Sequence, residues 1–131
     1  MQVTKIMTAA LAHTYEEPDV DILTTKLTIS LLNLGIAELT DAENHYRAND
    51  DTKELLTEPV VVEDTSDDVP YDYHITTILL PLWLAWKIFE GIDDTVRADK
   101  YYQLYLQRRT ELVPIEWQQM TDRTWGCCHA T

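Results

Sequence analysis

ITTILLPLWLAWKIFEG, Ile75 to Gly91, decides the fold. Ile75, Ile78, Leu79, Leu82, Trp86 and Phe89 recur at helical spacing, and Leu80, Leu84 and Ile88 form a second stripe beside them. A helix that is apolar on two sides belongs in the middle of a core. This helix is expected to start at about Asp72 and to stop at Gly91. Pro81 cannot donate to the carbonyl of Thr77, so a kink is expected there. The run falls short of the roughly 20 apolar residues that span a bilayer and carries Thr76, Thr77 and Lys87, so no membrane role is expected.

Helices are expected on either side. Downstream, Asp93 to Leu112 has acids at its start and Arg108 and Arg109 near its end, as the helix dipole favours, and turns Ala98, Tyr101, Tyr102, Tyr105 and Leu112 inward. Upstream, Asp19 opens a long helix to about Ala48 with two apolar stripes. One is Val20, Leu23, Leu27, Leu31 and Leu34; the other is Ile29, Leu32, Ile36, Leu39 and Tyr46. A short first helix covers about Thr4 to His13. Between the second and third helices, Leu55 to Val62 carries the β signal of Val60, Val61 and Val62, limited by Pro59 to an edge strand or small hairpin. The expected class is therefore mainly α: a small bundle of about four helices with one short β-strand or hairpin between helices 2 and 3. Residues 1–112 form the helical domain and 113–131 a tail.

Charge is the second strong signal. The chain of 131 residues has a net charge of −13, from 23 acidic and 10 basic residues. Between Asp50 and Asp72 lie nine acids against Lys53 alone, a local charge of −8. Phosphate binding needs clustered Lys and Arg, so nucleic-acid and anionic-membrane partners are disfavoured. The acids read as a solvated turn in which Asp68 or Asp72 caps the next helix, with the rest left for a cation or an electropositive neighbour.

The sequence shows no constellation of residues suited to catalysis or metal binding. As a calcium loop, Asp64, Ser66 and Asp68 suit the first liganding places, but Val69 stands where Gly is needed and Ile75 where the bidentate Glu belongs. Gly35, Gly91 and Gly126 are the three glycines, so no phosphate-cradling loop exists. His13, His45 and His74 are scattered among polar residues, and no serine sits in a nucleophile elbow. Cys127, Cys128 and His129 are adjacent and converge poorly on one tetrahedral metal. Neighbouring cysteines cannot staple the fold either, which suits a reducing compartment. The N-terminal stretch lacks a long apolar region, so neither a secretory signal nor a transit peptide is expected. No catalytic residue, cofactor or metal is expected. In the tail, Trp117, Met120 and Trp125 either fold back onto the domain or anchor on a partner.

The order of these elements carries a resemblance. DILTTKLTISLLNLGIAEL is followed by LLTEPVVVEDTSDDVPYDYHITTILLPLWLAWKIFEG and DDTVRADKYYQLYLQRRTEL. Met1 to Leu112 resembles the head-to-tail connector (adaptor) proteins of tailed bacteriophages. The resemblance lies in the Val-rich stretch, the acidic turn ending in Val69-Pro70-Tyr71, and the LPLWLAWKIFE helix. It implies a homo-oligomeric ring, commonly a dodecamer, in the virion neck and assembled in the host cytoplasm. The ring would bind the portal protein above and a stopper or tail-completion protein below, and DNA would pass its lumen without specific binding. Glu63, Asp64, Asp67 and Asp68 would then repel phosphate or meet a basic neighbour, and the tail would dock on the portal. The alternative is a free-standing acidic regulator that imitates the charge of DNA, which would space its acids along one face.

Overall fold

A computed structural model describes residues 1–14 and 25–113. The tail from residue 114 and the stripe positions Val20 and Leu23 lie outside the described residues. Helices α1 (Val3–Thr14), α2 (Thr25–Glu38) and α3 (Thr40–Ala48) come first. A long connector leads to a π-helical turn (Ile75–Leu79) that continues into α4 (Leu80–Gly91), and α5 (Thr95–Leu112) closes the domain. α4 lies at the centre, packed against α1, α2 and α5. The mainly α class holds.

α4 is buried on nearly every side. Leu80, Leu82, Leu84, Ala85, Ile88 and Phe89 are all enclosed, so both stripes are core. Tyr101 stacks on Phe89 at 5.4 Å and donates its hydroxyl to the carbonyl of His13, tying α5 to α1. The kink expected at Pro81 is accommodated one turn earlier, where the Leu80 amide reaches back to Ile75 in the wider π pattern. The missing proline N–H is thereby absorbed at the start of α4, where such a donor has the least to bond.

Three sequence expectations are corrected. The long second helix is two helices, broken at Leu39 (φ −90°, ψ 3°). There Thr40 Oγ1 donates to the Ile36 carbonyl at 2.8 Å, a back-bond that bends helices. Of its two stripes, Ile29, Leu32, Ile36 and Leu39 are core, whereas Leu27 and Leu34 are exposed at 48% and 61%. The choice follows from Gly35, where an added Cβ would stand 2.8 Å from the Trp83 ring, so only glycine lets α2 approach α4 this closely.

The β element is also corrected. Residues 49–72 hold no strand or hairpin, and the one bridge among the described residues pairs Gln2 with Asp68. α4 stops at Gly91, as expected, and the left-handed residue before α5 is Asp93 (φ 60°), an acid that tolerates that conformation. Asp94 then caps α5 by accepting from the Arg97 amide at 3.2 Å.

Candidate functional site

The acidic connector is held by side chains where a sheet would use backbone. Asn33 on α2 donates to the Val62 carbonyl (2.8 Å) and accepts from the Val62 amide (2.9 Å). Asn44 on α3 treats Leu56 the same way, at 3.0 and 2.8 Å. Between them the Val60 amide donates to Tyr71 Oη, which also shares a hydrogen with Thr40 Oγ1. Each carboxamide thus imitates the peptide group of a neighbouring strand. The two asparagines stand on separate helices and grip residues six positions apart, with bends at Thr57 and Glu58 between them. Past the bends, burial alternates along the valines: Val60 is partly buried, Val61 is 70% exposed and Val62 is 2% exposed. The β signal in the valines is thus an extended chain without a ladder.

The structure draws Glu63, Asp64, Asp67 and Asp68 into one turn with assigned partners. Asp67 Oδ2 accepts from the amides of Glu63 (2.8 Å) and Asp64 (3.0 Å). Asp64 accepts from Ser66 Oγ (2.9 Å) and the Thr65 amide (2.7 Å). Those bonds, the Ser66 hydroxyl foremost, hold its carboxyl below the usual carboxylate range. Asp68 Oδ1 lies 2.9 Å from the Met1 ammonium. The carbonyls of Thr65 and Asp67 accept from the Thr4 and Val3 amides, the first turn of α1. The turn therefore caps α1 at the positive end of its dipole. Asp72 opens the helix ahead, accepting from the His74 amide at 2.9 Å and facing His74 Nδ1 at 2.8 Å. More of the acids serve local structure than the reading of a solvated turn allowed; that of Asp72 as a cap agrees.

A buried ion pair fixes the connector's two ends. Glu43, fully enclosed, receives Arg47 Nε at 3.2 Å and the Asp72 amide at 2.7 Å. Arg47 also donates to the carbonyls of Glu54 and Pro70. Tyr46, one residue before, stacks on His74 at 5.6 Å and donates to the Leu112 carbonyl at 2.5 Å. Burial first, then the carboxylates of Asp72 and Glu43, push its phenol pKa up. Sequence reasoning passed over Asn33, Glu43, Asn44 and Arg47. Only the i, i+4 spacing of Glu43 and Arg47 signalled anything, and that spacing ordinarily marks an exposed pair.

On the opposite flank, Glu38 gathers Trp83 Nε1 (2.8 Å), Tyr105 Oη (3.3 Å) and Arg109 (3.2 Å). Desolvation by burial dominates at Tyr105 and pushes its phenol up to about 12. Lys87 sits 4.0 Å over the Trp86 ring, and Tyr102 lies 4.6 Å from that ring, so this flank presents a half-buried aromatic and cationic patch.

Chemically, the connector offers fixed carboxylates and backbone edges. Among the described residues, no three His, Cys, Asp or Glu gather as a metal site, and no helix is long and apolar enough to cross a membrane. Trp117, Met120, Trp125, Cys127, Cys128 and His129 lie outside the described residues. No family model, no curated protein and no solved structure matches this chain.

Proposed function

We propose that the chain is a structural interaction protein, a subunit of a head-to-tail connector ring in a phage neck. It would dock below the portal and line the DNA channel, with no catalytic role. The observation that carries this reading is the acidic connector, a negatively charged turn anchored to the helices at both ends. Glu54, Glu58, Glu63, Asp64 and Asp68 are exposed along it. At Asp64 the donors are neutral, the Ser66 hydroxyl and the Thr65 amide, and they favour its ionised form. A wall that lets a polyanion slide needs charge that stays ionised and does not fold away. The concentration of acids in one connector favours this over a DNA-mimicking regulator, which needs carboxylates spaced along a face.

The deciding experiment is native mass spectrometry and electron-microscope class averaging of the full chain, with and without a candidate phage portal protein. The expected result is a ring of the chain seated on the portal. A chain that neither oligomerises nor binds the portal refutes the proposal. Truncation after Pro114 tests the tail separately: the helical domain should stay folded while portal attachment falls. Full attachment by the truncated chain would remove the tail from the docking surface.

A further inference from the structure

We infer that the outer face of α2 is where a second copy of this chain docks, with the two α2 helices antiparallel. Lys26, Leu27, Ser30, Leu34, Ala37 and Glu38 are exposed and share the side of α2 opposite the buried Ile29, Leu32 and Ile36. The two leucines run along one margin of this face, and the small side chains of Ser30 and Ala37 run along the other. A contact of this kind uses the same surface on both copies and closes on two, so it is independent of the ring.

Three observations select a second copy as the occupant. The first is charge. The chain carries −13, yet α2 holds one lysine and one glutamate in 14 residues, so two copies meet there without opposing acids. The second is that the face complements itself. Antiparallel pairing centred on Leu32 sets Leu27 against Ala37 of the other copy and Leu34 against Ser30, large against small. The same register brings Lys26 level with Glu38, whereas parallel pairing would set lysine beside lysine and glutamate beside glutamate. The third is that the polar groups of the face are already satisfied. Ser30 Oγ donates to the Lys26 carbonyl at 3.0 Å, so covering it strands no donor. Glu38 is held in place by Trp83, Tyr105 and Arg109, and its side chain is still 43% exposed to a lysine from outside. A helix of 14 residues is about 21 Å long, and one face of it covers less than the roughly 800 Å² per partner of a standard interface. The pair is therefore weak, with a Kd of about 10–100 μM.

The test uses the full chain carrying Cys127→Ser and Cys128→Ser, made in two forms, Leu27→Cys and Ala37→Cys. Mixed at about 100 μM under mild oxidation, the two forms should join by an interchain disulfide. Leu27→Cys alone should cross-link at least about tenfold less, because antiparallel pairing holds the two copies of position 27 about 15 Å apart along the axis. Leu34→Lys, at an exposed position that leaves the domain folded, puts two ammonium groups near the two-fold and should abolish the cross-link. Self-linking of Leu27→Cys as efficient as that of the mixture would mean parallel pairing or random collision and overturn the inference. Undiminished cross-linking in the Leu34→Lys background would overturn it as well. So would a mixture that does not cross-link; a melting temperature lowered by Leu34→Lys would then give the face to residues 114–131 of the same chain.

Discussion

Replacing Asn33 with alanine tests whether side-chain amides stand in for a β-ladder. Two bonds vanish, at 2.8 and 2.9 Å, and both belonged to Val62. A typical intramolecular hydrogen bond contributes about 0.5–1.5 kcal/mol net, and a buried group left unpaired costs about 1–3 kcal/mol. The Val62 side chain is 2% exposed, so water reaches its peptide poorly, and the expected loss is about 2–3 kcal/mol. Asn44→Ala removes an equivalent pair at Leu56, which is only partly buried, and should cost about 1–2 kcal/mol. Asn33→Asp is the sharper probe. Its carboxylate keeps the bond to the Val62 amide but turns an acceptor against the Val62 carbonyl, so it should destabilise more than alanine does. Urea unfolding at constant m, read by helical circular dichroism, gives all three values. Exchange at the Val62 amide locates the effect. A loss below about 0.5 kcal/mol for Asn33→Ala, within ordinary surface scatter, would refute the clamp.

Other consequences can be measured directly. Glu43→Ala should cost about 3–5 kcal/mol, because it strands Arg47 and the Asp72 amide; a Glu43→Ala, Arg47→Ala cycle without coupling would show that the pair acts independently. Leu82→Ala, at 6% exposure in the central helix, should cost about 2–5 kcal/mol by chemical denaturation, and near-wild-type unfolding would displace α4 from the core. Tyr105 has a folded pKa raised from 10.0 to about 12, so its contribution is complete below pH 10 and is lost as pH rises toward 12. Tyr105→Phe should flatten that alkaline decline in a pH series of melting temperatures. Asp67→Ala should loosen the acidic turn by about 1 kcal/mol, as loss of a cap does, while Asp64→Asn and Asp68→Asn leave the melting temperature nearly unchanged.

The central helix was legible because its periodicity left no exposed side to choose. α5 was legible for a different reason, since charges at both ends agreed with its apolar face. The two stripes of α2 were equally apolar, and nothing local says which turns inward. That choice was made far along the chain by the ring of Trp83 against Gly35. The valine triplet truthfully reported a half-buried extended chain. What it could not report was that carboxamides of α2 and α3 would replace a partner strand, because Asn33 and Asn44 read as ordinary surface polar residues. Likewise, Asp64 and Asp67 had the chemistry of a turn in plain view. The turn's service to α1, through the Thr65 carbonyl and Thr4, spans 61 residues of sequence and had no local trace.

The capping of α1 by the turn at Thr65 and Asp67 orders events during synthesis. α1 leaves the ribosome before the acidic turn and α4, yet a helix of 12 residues is marginal alone, and the carbonyls that complete its first turn follow much later. Its inward face waits longer still, for α4. Though made before the turn and α4, α1 is therefore among the last segments of the domain to settle, a latch that closes on a body already assembled. Such a latch contributes little to the folding barrier, so weakening it speeds unfolding more than it slows folding. The domain would then open from its N-terminal end, with the acidic turn released in the same motion.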